Sequence, residues 1–128
     1  MKTITRIGAV TVLLALAPAI ALAVNPVKGS TYKGTHGANS IEPKTLVLHV
    51  AKSGRRASAD LYCGTTAPSA RMRGIEIDHG AFAAKQYNGT LLVWKIKGHF
   101  TSKDAATVRY WIPAACNGSG GTVKIERQ

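Results

Sequence analysis

Acidic residues are scarce in this sequence of 128 residues, which holds 6 Asp and Glu against 17 Lys and Arg. The formal net charge at pH 7 is therefore +11. A glycosidase needs two carboxylates that face one cleft, and with only a few acidic residues in the chain such a pair is not favoured. Glu76 and Asp78 are spaced to share one face of a strand, but an Asp directly before His79 and Gly80 is typical of a turn. We predict no catalytic residues.

The motifs of several other site classes are missing as well. The 4 histidines, His36, His49, His79 and His99, have no metal-ligand spacing, although His49 and His99 could converge on outward strand faces. No G-x-S-x-G sequence occurs, so the nucleophile turn of a serine hydrolase is not indicated. The glycine-rich segment 118–121 is followed by neither Lys-Ser nor Lys-Thr, which excludes a Walker phosphate loop. We expect no metal and no cofactor.

A long uncharged run occurs once, near the N-terminus. The first six residues carry two positive charges, the next sixteen carry none, and Ala21-Leu22-Ala23 ends the run with small residues. This order is typical of a cleaved secretory signal, here residues 1–23. Cleavage would leave a single domain of 105 residues, 24–128, and would lower the net charge from +11 to +9 by removing two cations. We therefore expect a protein that is secreted or held in the cell envelope, with no membrane span after cleavage.

Cysteine is also rare, with only Cys63 and Cys116 present. In an oxidising compartment these two allow one intramolecular pairing, and neither has C-x-x-C spacing or an adjacent His. We predict a structural disulfide rather than a metal ligand or a reactive thiol. The chain-entropy model gives such a bridge roughly 4 kcal/mol of the free energy of unfolding.

Short apolar runs of period two recur beyond residue 29, separated by Gly, Asn, Ser, Asp and Pro, and no sustained helical period accompanies them. The predicted strands cover residues 30–33, 45–50, 55–63, 71–77, 81–85, 91–100, 107–112 and 122–126. Asn88-Gly89 predicts a hairpin turn before the sixth strand, and Ser102-Lys103-Asp104 predicts a turn after it. The pattern predicts a small all-β domain of about eight antiparallel strands, either a β-sandwich or an up-and-down barrel.

Two neighbouring strands carry the candidate binding site. The sixth strand places Lys95, Lys97 and His99 on one side, and the seventh places Arg109 and Trp111 on one side. If these strands pair as a hairpin, the five residues share an outward face. Cations interleaved with an aromatic ring suit an anionic polymer, because the charge attracts phosphate or carboxylate and the ring can stack on a sugar or a base. The alternative is a solvated sheet face whose charge serves solubility.

Glycine, phenylalanine and cysteine residues occur in a characteristic order along the predicted strands. The order is Gly29-x-x-Tyr32-x-Gly34-Thr35, Cys63-Gly64, Gly80-x-Phe82, Ile96-x-Gly98-x-Phe100-Thr101-Ser102 and Cys116 before a last short strand. It resembles a set of exported bacterial β-proteins, common in actinobacteria and largely without an assigned function. The resemblance implies a two-cysteine all-β fold and export, and it implies no activity and no catalytic residue.

The sequence therefore predicts a secreted, monomeric and non-catalytic binding module. Its partner is expected to be an anionic cell-envelope polymer or an extracellular protein, and export makes nucleic acid a poor candidate. Two alternatives stay open. One is a small secreted inhibitor that presents loop 65–69 or loop 117–121 to a protein partner. The other is a hydrolase whose site carries no recognised motif.

Overall fold

The computed structural model describes residues 24–114, 116 and 118–128, and their fold is all-β. Its strands are β1 (Thr31–His36), β2 (Lys44–Val50), β3 (Arg56–Cys63), β4 (Ala70–Glu76), β5 (Ala81–Asn88), β6 (Leu91–Ser102), β7 (Ala105–Ile112) and β8 (Ser119–Arg127). The predicted signal, residues 1–23, lies outside the described residues. The described part of the chain has no helix with the length and apolar character needed to cross a bilayer.

The eight strands form one antiparallel sheet in the order β4-β3-β2-β1-β8-β7-β6-β5. Apart from β1 and β8, all neighbours in the sheet are consecutive along the chain, so two meanders are joined where β8 pairs with β1. The outermost strands, β4 and β5, are linked by a tight turn in which Asp78 and Ala81 exchange backbone hydrogen bonds of 2.9 and 3.0 Å. The sheet therefore curls into a nearly closed barrel, which decides between the two predicted architectures.

Apolar residues of the period-two pattern fill the interior of the barrel. The largest side chains below 2% exposure are Trp94, Tyr32, Phe100, Leu46, Leu48, Leu61, Ile75, Ile112, Ile125 and Val108. Successive residues of a strand point to opposite faces, so these inward positions turn the residues between them towards solvent. Each such side chain contributes about 1.5–3 kcal/mol when it leaves water, which makes this core the main source of stability.

Several strand ends differ from the predictions by a few residues, among them the end of β1, the end of β5 and the start of β8. β1 continues to His36, because residues 34–36 extend its ladder with β2. β8 begins at Ser119, so most of the predicted loop 117–121 is strand paired with β7, while Asn117 lies outside the described residues. Glycine content is a misleading signal here, because ladder hydrogen bonds with β7 override the preference of glycine for loops.

The β5–β6 hairpin is confirmed at the predicted Asn88-Gly89 turn, whose glycine has a φ of 64°. An irregularity in the register lies between Gln86 and Tyr87. It leaves Leu92 and Val93 both half-buried, although strict alternation predicts Leu92 inward and Val93 outward. The sixth strand therefore follows the predicted alternation only from Trp94 onward.

The predicted disulfide is confirmed at one end of the barrel. Cys63, the last residue of β3, is bonded to Cys116 in the connection between β7 and β8, with their Cα atoms 5.8 Å apart. β2 and β1 lie between β3 and β8 in the sheet, so the bridge ties together strands that are not neighbours. We call this end of the barrel the disulfide end.

The opposite end is fastened by the hydroxyl of Tyr32, a fully buried residue of β1. This hydroxyl accepts a hydrogen bond of 2.9 Å from the backbone N–H of Val27 and donates one of 2.6 Å to the carbonyl of Lys103. The Tyr32 ring meets the Phe100 ring edge-on, with centroids 5.0 Å apart. One side chain thus connects the segment before β1 to the β6–β7 turn and to the core.

Candidate anion-binding face

The outward residues of β5 to β8 form three rows that follow the strand register. From β5 to β8 the rows are Lys85–Lys95–Trp111–Gly120, Ala83–Lys97–Arg109–Thr122 and Ala81–His99–Thr107–Lys124. We call this surface the basic face. The five predicted site residues, Lys95, Lys97, His99, Arg109 and Trp111, all lie on it, since β6 and β7 pair as a hairpin.

The core places these cations outward. Ile96 is 3% exposed and lies between Lys95 and Lys97, while Val108 and Tyr110 are buried on either side of Arg109. A shift of the register by one residue would bury the cations and expose the apolar side chains, so the interior enforces the composition of the face.

Four cations of the basic face make no ion pair with any described residue. They are Lys85, Lys95, Lys97 and Arg109, and none takes part in the six ion pairs found in this part of the chain. Lys124, at the edge of the face, lies 3.8 Å from the carboxylate of Glu126. The cations at the centre of the face therefore have no described carboxylate within ion-pair distance.

The register also sets like charges directly opposite each other. Lys85 of β5 faces Lys95 of β6, and Lys97 of β6 faces Arg109 of β7. Directly opposed side chains on one sheet face have their Cβ atoms about 5 Å apart, and like charges at that separation destabilise the pair. The fold tolerates this repulsion at the centre of the basic face, where a bound anion would relieve it.

Trp111 is the large aromatic residue of the face, and 49% of its surface is exposed. Its neighbour on β8 is Gly120, and a Cβ atom added there would lie 3.1 Å from Cε3 of the indole. The ring therefore lies against the backbone of β8, with the rest of its surface towards solvent. The sequence interpretation missed this contact because it assigned Gly120 to a loop.

A shallow depression of about 1000 Å³ covers the same region. Its lining includes the cations Lys85, Lys95, Lys97 and Arg109, together with Trp111 and the short residues Ala83, Gly120 and Thr122. The short residues belong to the flanking strands β5 and β8, so the long side chains of β6 and β7 stand above them. The surface suits an elongated ligand laid across the strands.

His49 and His99 do not converge, because β1, β8 and β7 separate β2 from β6 in the sheet. His49 belongs to a different cluster, in which its Nδ1 lies 3.2 Å from the hydroxyl of Thr31 and its Nε2 lies 3.5 Å from the carboxylate of Asp60. Arg71 Nε donates a hydrogen bond of 3.1 Å to the other oxygen of Asp60.

Sequence reasoning missed this cluster. Asp60 occupies an outward position of β3 but is only 8% exposed, since side chains from β2 and β4 cover it. The buried Asp60 carboxylate is paired locally, because Arg71 donates a hydrogen bond to it and His49 lies beside it. This side of the barrel therefore differs from the basic face, whose central cations lack such partners.

The two acids considered for hydrolysis are both exposed. Glu76 lies opposite Arg56 near the end of β4. Asp78 lies in the β4–β5 turn, where its 87% exposed carboxylate is 2.6 Å from Nδ1 of His79. Asp78 is thus a turn residue, as its sequence context predicts.

One group of metal-ligand residue types occurs in the described part of the chain, and it consists of Glu42, Cys63 and Cys116. The two sulfur atoms are bonded to each other, so neither is available as a thiolate ligand. The group is a disulfide beside a carboxylate.

His36 and Tyr110 meet near the disulfide end, where Nδ1 of His36 lies 2.5 Å from the Tyr110 hydroxyl. Burial raises the pKa of the Tyr110 phenol above its ordinary value of 10.0. Sequence reasoning placed His36 in a loop, so it offered no signal for this contact.

The large apolar residues that remain exposed gather towards the disulfide end. They are Ile41, Tyr87, Leu91 and Trp111, found in the β1–β2 connection, at the β5–β6 turn and near the end of β7. The loop 65–69 follows Cys63 at the same end and is largely exposed, as the inhibitor alternative requires.

Comparison with protein-family models, with curated proteins and with solved structures finds no match for this chain.

Proposed function

We propose that this protein is a secreted, non-catalytic binding module and that its basic face binds an anionic polymer of the cell envelope. The proposal rests on two cross-strand pairs of like charge: Lys85 lies opposite Lys95, and Lys97 lies opposite Arg109. None of these four residues has an ion-pair partner among the described residues. A phosphate or carboxylate placed between opposed cations removes their repulsion and gains charge-assisted hydrogen bonds.

The extent of the face favours a polymer over a single small anion. Its rows cross four strands, which at a strand spacing of about 4.8 Å span roughly 14 Å. Several charged groups of one chain can then be bound together, each adding to the affinity. Attraction of this kind falls steeply with ionic strength, because exposed charges are screened within about 10 Å at 0.1 M salt.

The test is a pull-down of the oxidised protein with purified envelope polymers, prepared with and without their phosphate-bearing chains, across a salt series. We expect retention that requires the phosphate-bearing chains and is lost as salt rises. Absence of retention at low salt would overturn the proposal and leave the net charge as a solubility feature.

A matched pair of variants separates the basic face from net charge alone. Replacing Lys95, Lys97 and Arg109 with Gln should weaken retention and flatten its salt dependence. In nucleic acids each lost phosphate contact lowers the slope of log affinity against log salt by about 0.7–0.9. The control replaces the exposed cations Arg55, Arg56 and Arg73 with Gln, which removes the same charge from another side of the barrel. Equal weakening in both variants would contradict a defined site.

The exposed apolar residues at the disulfide end favour a second candidate, the binding of an extracellular protein. Ile41 and Leu91 are exposed there, and the 65–69 loop lies beside the disulfide that anchors it. Exposed apolar anchors beside a loop suit protein recognition. Binding of this kind would be lost on replacing Ile41 and Leu91 with Ser and would depend little on salt.

A further inference from the structure

Trp111 is half exposed and lies among the cations of the basic face. We infer that Trp111 is a stacking platform for a sugar ring, and that the ligand is a phosphate-bearing polysaccharide rather than a bare polyphosphate or a nucleic acid. This inference rests on the proposed function, since it concerns the same face.

Gly120 leaves room for the indole, because it has no side chain beside the ring. A Cβ atom at Gly120 would lie 3.1 Å from Cε3 of Trp111 and 3.0 Å from the carbonyl oxygen of Tyr110, so its neighbours would have to move by a few tenths of an ångström. The ring lies close to the backbone of β8 and still exposes 49% of its surface, so a ligand can stack on it.

Cations adjoin the ring on two sides. Lys95 lies directly opposite Trp111 on β6, and Arg109 lies two residues away along β7 on the same face. The corresponding separations are about 5 Å across the strands and about 7 Å along the strand. A sugar stacked on the indole would hold its phosphate substituents within reach of both cations.

The other two ligands fit this arrangement less well. A bare polyphosphate has no apolar surface to cover the exposed indole, so Trp111 would add nothing to its binding. Single-stranded nucleic acids stack successive bases on several aromatic side chains. Trp111 is the one Trp, Tyr or Phe in the three rows of the basic face, and the exposed Tyr87 lies beyond Lys85, next to the β5–β6 turn.

The test compares three polyanions as ligands of the oxidised full chain: a phosphodiester-linked mannan, a long-chain inorganic polyphosphate and a single-stranded oligothymidylate. The variants are Trp111→Leu, which removes the aromatic plane, and Trp111→Phe, which keeps one. We expect Trp111→Leu to weaken mannan binding at least tenfold and polyphosphate binding less than twofold. Trp111→Phe should recover most of the mannan affinity.

A third variant moves the ring without removing it. Gly120→Ala should weaken mannan binding less than Trp111→Leu does while its thermal unfolding remains cooperative, because the added Cβ shifts its neighbours by a few tenths of an ångström. Fluorescence supplies a second readout, since Trp94 is 0% exposed and a ligand-induced change in emission reports on Trp111. The mannan should change the emission, and polyphosphate should not.

The outcomes separate this inference from the proposed function. If the wild-type protein binds none of the polyanions, the proposed function fails. If it binds the mannan and the polyphosphate, and Trp111→Leu weakens both equally or neither, the basic face stands and the sugar platform is overturned. A loss on the oligothymidylate as large as that on the mannan would assign the ring to bases and would also overturn the inference.

Discussion

Lys97 of β6 lies directly opposite Arg109 of β7 on the outward side of the barrel, and neither forms an ion pair with a described residue. The register that creates this contact is fixed from inside, because Ile96 and Val108 are buried next to the two cations. The core thus dictates a surface arrangement that costs stability in the absence of a ligand. Stability measurements can therefore detect the site before any ligand is known.

Removing one member of this pair should stabilise the protein at low ionic strength. We expect Lys97→Gln to raise the free energy of unfolding by a few tenths of a kcal/mol and by at most about 1 kcal/mol, the range for cross-strand pairs. Urea unfolding at low and high salt measures the effect, which should shrink as salt screens the repulsion. Arg56→Gln, which neutralises an exposed cation opposite Glu76, is the control and should give no gain. A loss of stability in Lys97→Gln would show that the opposed cations do not repel each other appreciably.

A methyl group at Gly98 should disturb the interior of the same hairpin. A Cβ atom there would lie 2.6 Å from Cζ of Phe82 and 2.8 Å from the carbonyl oxygen of Thr107. We expect Gly98→Ala to lower the free energy of unfolding by about 1–3 kcal/mol, the usual cost of overpacking. The double variant Gly98→Ala/Phe82→Leu should lose less than the sum of the two single variants, since the shorter side chain makes room. Strict additivity in urea unfolding would argue against the clash with Phe82.

The parts of the fold predicted from the sequence depend on local patterns. Period-two alternation identifies the inward residues of β2 and β7, and Asn88-Gly89 identifies the β5–β6 turn. Two cysteines allow a single intramolecular bridge, which is the one observed. Lys97 and Arg109 share a face because a short turn joins their strands. In each case the decisive interaction lies close in sequence or has no alternative.

The features missed by sequence reasoning depend on pairings between distant segments. The pairing of β1 with β8 joins the two meanders into one sheet, and the sequence of neither strand indicates that the other is its partner. Asp60 is buried only because β2 and β4 cover its position. Gly120 resembles a loop residue until β8 is paired with β7, and only then does it lie beneath Trp111. These contacts follow from strand pairing and are not predicted by amino-acid composition.

The Cys63–Cys116 bridge should account for a large share of the stability. It closes a loop with a sequence separation of 53, for which the chain-entropy model gives about 4 kcal/mol. We expect a Cys63→Ser/Cys116→Ser variant to lower the free energy of unfolding by about that amount, as measured by urea unfolding. The reduced wild-type protein should behave similarly and serves as the control for the serine substitutions. A loss below about 1 kcal/mol would mean that the sheet alone holds the two segments together.

Alkaline pH should weaken the fold through Tyr110. Burial raises the pKa of its phenol above 10.0, so near and above pH 10 the folded state retains a proton that the unfolded chain releases. The free energy of unfolding then falls as pH rises, and this contribution is intact only below pH 10. Tyr110→Phe carries no phenol proton at this site. At neutral pH this variant should be less stable than the wild-type protein by about 0.5–1.5 kcal/mol, because it loses the hydrogen bond to His36. This difference in the free energy of unfolding should shrink between pH 9 and pH 11.

Urea unfolding of both proteins at fixed ionic strength across this pH range measures that difference. Tyr87→Phe is the matched control, because it removes the hydroxyl of a tyrosine that is 54% exposed. A loss of unfolding free energy in Tyr110→Phe that stays constant or grows as pH rises would contradict the raised pKa of Tyr110. A constant loss would mean that the buried phenol does not resist ionisation in the fold, and a growing loss would mean that the contact with His36 stabilises the charged form instead of the neutral one.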